Sequence, residues 1–118
     1  MSLQAYNRTQ RVTENPRDTE YRLFAEITRQ LMKVKDQPRH DREVIDALYR
    51  NRRLWSTLLS DCSREGNGLP EAIRASIISL SIWVDKQSSA IMRGGESIEP
   101  LIDINRTIME GLAQRPAG

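Results

Sequence analysis

The stretch from Pro70 to Met92 most constrains the fold, because it is the longest apolar segment of an otherwise charged chain. Its main apolar residues recur at helical spacing, at Ile73, Ile77, Leu80, Val84 and Ile91. The segment is longer than an ordinary strand, and its polar residues do not alternate with the apolar ones, so the pattern predicts a helix. Further apolar residues lie off this stripe, which is typical of a helix buried at the centre of a bundle.

Length and composition indicate one soluble domain. The 118 residues suit a single modest core, and 29% of them are charged. Charged residues interrupt the apolar segment, so no uncharged run reaches the roughly 18 residues of a membrane span.

Cys62 is the only cysteine, which excludes an intrachain disulfide and favours a reducing compartment. The first ten residues lack the apolar run of a secretory signal, so we expect a cytoplasmic protein without membrane contact.

Local start and stop signals predict four helices. These signals are a cap and a proline at Asn15-Pro16, a cap at Asp41, a proline at Pro70, a stop at Gly94-Gly95 and a cap at Ser97. Short loops between them favour antiparallel neighbours. We therefore predict an all-α protein, a small up-down helical bundle of about four helices in one domain over residues 1–118. Residues 1–14 form a polar N-terminal arm in this prediction, and residues 114–118 form a tail.

Two positions depart from the apolar pattern of these helices. Asn51 and Arg52 leave a polar gap in the second helix, between Leu48 and Trp55. Gly111 lies inside the fourth helix, where a glycine costs about 1 kcal/mol relative to alanine. This glycine indicates either close packing against a neighbour or early fraying of the helix.

The residues that usually carry chemistry are sparse. His40 is the only histidine and Cys62 the only thiol, too few for the usual zinc ligand sets. We expect His40 to be an ordinary exposed residue and Cys62 a buried small hydrophobe. Neither a nucleophile-elbow motif nor a phosphate-binding glycine loop is present. We therefore expect no enzyme activity, no metal and no cofactor.

Charge favours a protein partner over nucleic acid. The formal net charge is only +2, and the densest basic spot is residues 50–53. Aromatic residues for base stacking are not interleaved with this spot, which favours a solvated helix face. A helix–turn–helix reader would need the third helix in a DNA groove, and that helix is too apolar to read base edges.

Five motifs spread along the chain resemble a known family. They are Ala5-Tyr6, Arg17-x-x-Glu20, Asn51-x-x-Leu54-Trp55-x-x-Leu58-x-x-Asp61, Asn67-x-Leu69-Pro70-x-x-Ile73-Arg74, and Pro100-Leu101-Ile102-Asp103-Ile104-Asn105-x-Thr107-Ile108-Met109-x-Gly111-Leu112. Together they are similar to the FlaF family of flagellar biosynthesis regulators from alphaproteobacteria. The last motif is the most specific. Residues 32–42 match no motif of this family.

The resemblance implies a cytoplasmic, non-enzymatic protein needed for flagellin synthesis and secretion. Such a protein binds flagellin as an export chaperone and acts opposite the partner regulator FlbT. Flagellin ends are amphipathic helices that self-associate, and a helical bundle can cover one in a groove. The alternative function is an RNA-binding post-transcriptional regulator of flagellin mRNA translation, acting through residues 50–53. A third possible function is that of a plain homodimerising helical adaptor.

We place the edge of the expected groove at Trp55, Trp83, Ile102 and Met109, because aromatics and methionine are enriched at such surfaces. The alternative is that all four are core residues. Asn105 is a fifth candidate, since it lies on the apolar stripe of the fourth helix. It either bonds a helix backbone internally or faces the partner.

Overall fold

The computed structural model describes residues 16–64, 68 and 70–113, with side chains from residue 18 onward. Four helices make up this part: α1 (Pro16–Val34), α2 (Arg42–Cys62), α3 (Glu71–Gly94) and α4 (Glu99–Ala113). No strand occurs within these ranges. The predicted all-α architecture of four helices is therefore confirmed. The predicted arm at 1–14, the Asn15 cap and the tail at 114–118 lie outside the described residues.

The helix ends follow the local signals. Helix α1 begins at Pro16, as predicted. Asp41 immediately precedes α2, although its side chain makes no capping hydrogen bond. Gly95 follows α3 with a φ of 129°, which L side chains rarely adopt, so glycine suits this stop. At the start of α4, the backbone N–H of Glu99 donates to Oγ of Ser97 at 3.1 Å.

Helices α1 and α2 form the middle of the molecule. Helix α4 packs along α1, α3 packs along α2, and α3 and α4 meet at only a few points. Lys35 just past α1 pairs with Glu99 at the start of α4, at 3.4 Å, so these helices run antiparallel. Arg74 near the start of α3 bonds the carbonyl of Cys62 at the end of α2, so this pair is antiparallel too.

The prediction that α3 is the buried centre of the bundle is wrong. Its buried residues form one narrow seam at alternating spacings of four and three: Ile77, Ser81, Val84, Ser88 and Ile91. Both serines bond the carbonyl one turn earlier in α3, at 2.7 Å, and their small size lets α2 approach closely. The apolar residues off the seam stay exposed, at Ile78, Ile82, Trp83 and Met92. Even so, no helix in the described ranges has the length and apolar character to cross a membrane.

Candidate functional site

A buried polar cluster joins three helices at the centre of the molecule. Trp55 of α2 donates from its indole Nε1 to Oδ1 of Asn105 in α4, at 2.8 Å. Nδ2 of Asn105 donates to Oδ1 of Asn51 in α2, at 2.8 Å, and to Oγ1 of Thr28 in α1, at 3.1 Å. All four side chains are buried. Asn105 therefore uses its carbonyl oxygen and both amide hydrogens on side chains of other helices, and not on a helix backbone.

The indole determines how the two amides are oriented. An indole N–H can only donate, so it faces the carbonyl oxygen of Asn105. The amide nitrogen of Asn105 then points at Asn51, which presents its own oxygen. As a result, Nδ2 of Asn51 is buried without a hydrogen-bond partner among the described residues. A buried donor in this state costs about 1–3 kcal/mol, whereas the bonds that form specify one alignment of α2 and α4.

This cluster explains the polar gap in the α2 pattern. Asn51 and Trp55 come from one motif of the sequence and Asn105 from another, and the fold brings them into contact. The cluster contains no ionisable group and no activated nucleophile. Its bonds connect α1, α2 and α4, and buried polar side chains with specific partners hold helices in register.

A groove between α2 and α3 is the candidate binding site, and we call it the α2–α3 groove. It holds a cavity of about 290 Å³ lined by Arg52, Trp55, Ser56, Leu59, Ser81, Ile82, Val84, Asp85 and Lys86. Trp55 and Val84 are buried beneath it, Leu59 is half-buried, and 56% of Ile82 is exposed. An apolar floor with an exposed aliphatic side chain at its rim is suited to receiving apolar side chains from another molecule.

The rim of the α2–α3 groove is charged. Arg52 of α2 donates to Oδ1 of Asp85 in α3, with Nε at 3.1 Å from that oxygen. Arg52 is half-buried and Asp85 is exposed, so this ion pair at the surface contributes at most about 1 kcal/mol to stability. Lys86 beside it forms no ion pair with any residue in the described ranges. The rim therefore offers an uncompensated positive charge next to an apolar floor.

The five sequence-predicted site residues do not form one edge. Trp55 is 1% exposed and lies under the α2–α3 groove, whereas Ile102 and Asn105 are buried in the core. Met109 is partly buried and packs against the core. Trp83 is 36% exposed but does not line this groove. Ile102 is therefore a core residue. Contact of Trp83 or Met109 with a partner stays a prediction.

The sequence analysis missed the residues that open the groove to solvent. Leu59 lies at helical spacing from the apolar residues of α2, which favours a core position, and Ile82 lies off the main apolar stripe of α3. An aliphatic residue so far from the stripe is the one available signal, because it needs a second surface to cover it. The Arg52–Asp85 pair spans 33 residues of sequence, and no local pattern predicts it.

The basic spot on α2 is engaged within the chain. Nη1 of Arg50 donates to Oε1 of Gln30 at 2.7 Å, and Nη2 lies 4.0 Å from Oε1 of Glu26. Arg52 bonds Asp85, as described above. The guanidinium of Arg53 lies 6.0 Å from the centre of the Tyr49 ring. These partners give no specific support to the RNA-binding alternative.

Arg74 anchors the start of α3 to the end of α2. Its Nε and Nη2 both donate to the backbone carbonyl of Cys62, at 3.1 and 2.7 Å. That carbonyl has no partner within α2, because the helix ends there, so a cation is favourable at this position. This contact gives a physical role to an arginine of the Pro70 motif.

The thiol and the imidazole lie apart. Cys62 is fully buried, as predicted, and burial together with the nearby Glu20 carboxylate raises the pKa of its thiol. His40 is exposed, also as predicted. Among the described residues, no three His, Cys, Asp or Glu side chains are grouped to hold a metal ion.

Comparison with known proteins identifies a family. The family model described as flagellar protein FlaF matches residues 2–112, which is nearly the whole chain. The comparison with curated proteins gives no match, and neither does the comparison with solved structures. The family match covers both motifs that build the buried cluster and both helices that form the α2–α3 groove. The chain therefore belongs to the FlaF family of flagellar proteins.

Proposed function

We propose that this flagellar protein is a non-enzymatic, cytoplasmic export chaperone that binds flagellin. In this role it is required for flagellin synthesis and secretion and acts opposite FlbT. Membership of the FlaF family supports the flagellar part of the proposal. The observation that carries the binding part is the α2–α3 groove, where more than half of Ile82 is exposed above a floor containing Trp55.

The chemistry of the groove fits an amphipathic helix. A helix that lies between α2 and α3 presents apolar side chains at spacings of three and four residues to the floor. Leu59 and Ile82 contribute apolar walls, and Lys86 offers a charge for an acidic side chain at the edge of the incoming helix. Covering such a helix keeps its apolar face from self-associating before export. The charged rim adds specificity and association rate more than affinity.

Binding is tested with purified flagellin monomer by isothermal titration calorimetry, with FlbT added in a second titration. Ser56 is exposed and lines the groove, so Ser56→Arg fills the space without touching the core. We expect this variant to bind flagellin at least tenfold more weakly, a change of about 1.4 kcal/mol. Ser60→Arg is the matched control, because Ser60 is exposed on the same helix and does not line the groove.

The possible outcomes separate the function from its location. No flagellin binding by the unmodified chain, alone or with FlbT, overturns the proposed function. Binding that Ser56→Arg leaves unchanged moves the site elsewhere, and the neighbouring groove between α1 and α2, lined by Leu23, Tyr49 and Leu54 among others, is then the next surface to probe.

A further inference from the structure

The surface of α3 that faces away from α2 has a symmetric pattern. Seven residues follow one another along it at spacings of 4, 3, 4, 4, 3 and 4: Glu71, Ala75, Ile78, Ile82, Lys86, Ser89 and Arg93. The spacing puts them on one side of the helix, and we call them the α3 outer face. Six are exposed and Ser89 is half-buried. The pattern reads the same in both directions from Ile82.

We propose that the α3 outer face is a two-fold interface between two copies of this chain, with α3 of one copy antiparallel to α3 of the other. Ile82 lies on the axis and packs against its own counterpart. Ile78 then covers the methylene stem of Lys86 of the partner subunit, and Ala75 meets the small Ser89 of the partner subunit. An interface of this kind is self-complementary, as two-fold symmetry requires.

The distribution of charge selects a second copy in this orientation. Glu71 lies at the start of α3, whereas Lys86 and Arg93 lie in its second half. Antiparallel pairing places Glu71 opposite Arg93 of the partner subunit, and symmetry repeats this contact at the other end. Parallel pairing would place like charges together. None of these three residues forms an ion pair with any other described residue, so their charges are free for a partner.

The small size of the interface limits the expected affinity of the dimer. Helix α3 has 24 residues, which corresponds to a length of about 36 Å. A single pair of helices of this length buries less than the roughly 1,200 Å² at which standard specific interfaces begin. We therefore expect a reversible dimer in the micromolar range, weakened by salt because its ends are held by exposed charges.

The dimer goes beyond the proposed function and does not rest on it. Ile82 and Lys86 belong to both the α3 outer face and the α2–α3 groove. A second copy and a groove-bound helix therefore compete for these two side chains. Glu71 and Arg93 lie outside the groove lining, so substitutions there test the dimer alone.

The test is sedimentation equilibrium of the full chain at low salt. Concentrations of roughly 1 to 500 µM bracket a micromolar dissociation constant. The unmodified chain should show a monomer–dimer equilibrium. Glu71→Arg should weaken it about tenfold, since it faces Arg93 of the partner subunit, and so should Arg93→Glu. The double variant Glu71→Arg/Arg93→Glu restores opposite charges and should recover the unmodified constant.

Glu110→Arg is the control, because Glu110 is exposed on α4 and makes the same charge change away from the interface. Circular dichroism of each variant verifies that the helices are retained. A chain that stays monomeric up to the highest concentration overturns the proposal. A dimer that the single charge reversals leave intact, or that the double variant does not recover, overturns it as well, since another surface then forms the contact.

Discussion

Trp55 and Asn105 are 50 residues apart in the sequence, and a hydrogen bond of 2.8 Å joins the indole N–H of one to the amide oxygen of the other. The bond connects α2 to α4, although α4 packs mainly along α1. The Trp55 ring also meets Phe24 of α1 edge to face, with ring centres 5.5 Å apart. Trp55 therefore contacts both α1 and α4, through different parts of its ring system.

Replacing Asn105 by alanine should destabilise the fold by at least about 2 kcal/mol. The substitution leaves the Trp55 N–H and the Asn51 oxygen buried without their partner, and each such group costs about 1–3 kcal/mol. Urea denaturation followed by circular dichroism measures the change. Asp103→Ala, at an exposed position of the same helix, should change stability by less than about 0.5 kcal/mol. Loss of flagellin binding by Asn105→Ala at an unchanged melting temperature would contradict this structural role.

Two glycines should respond in opposite ways to alanine. A Cβ at Gly111 meets no atom within 4 Å, so close packing does not explain this residue. Gly111→Ala should stabilise α4 by about 0.5–1 kcal/mol. Gly95→Ala should destabilise the protein by about 1–3 kcal/mol, because φ is 129° there. Thermal melts of both variants measure these changes. A melting temperature of Gly111→Ala below that of the unmodified chain would show that this helix end tolerates no side chain.

Arg74→Ala should cost about 1–2 kcal/mol of stability. The substitution removes two charge-assisted hydrogen bonds to the last carbonyl of α2, and the site is partly buried. Arg74→Lys should recover only part of this loss, since an ammonium cannot donate from a rigid fork. Arg29→Ala, at an exposed position of α1, is the control. Equal effects of the two alanine substitutions in urea denaturation would argue against the anchoring contact.

Stability should fall above about pH 9 in a way that depends on Cys62. Burial, followed by the Glu20 carboxylate, raises the pKa of this thiol above its ordinary value of 9.0, so the folded state favours the protonated form. Below pH 9 the thiol is protonated in both states and its contribution is constant. As the pH rises further, the unfolded chain loses this proton first and is stabilised. Over roughly the one and a half pH units above the ordinary thiol pKa of 9.0, the free energy of unfolding of Cys62→Ala should therefore decline less steeply than that of the unmodified chain. Equal slopes would contradict this.

Local chemistry was sufficient to predict where most helices begin and end. Pro16 opens α1, Asp41 precedes α2 and Gly95 follows α3, as the sequence indicates. These boundaries depend on a proline ring, a capping position or a glycine backbone, and each acts on residues within one turn. The motif match likewise predicted the family from sequence alone.

Burial could not be predicted in the same way, because it depends on which distant helix lies opposite. The apolar content of α3 indicated a central helix, yet α3 packs mainly on α2 and leaves Ile82 exposed. Asn51 seemed an interruption in an apolar stripe, but it is fully buried because Asn105 supplies its partner.

The sequence by itself determined the number and the limits of the helices in the described part of the chain, and it contains no recognisable catalytic motif. Only the tertiary structure decided which apolar side chains form the core and which line the α2–α3 groove. The physical reason is range: helix ends respond to neighbours a few residues away, whereas the Trp55–Asn105 bond and the Arg52–Asp85 pair join residues that meet only when the whole chain has packed.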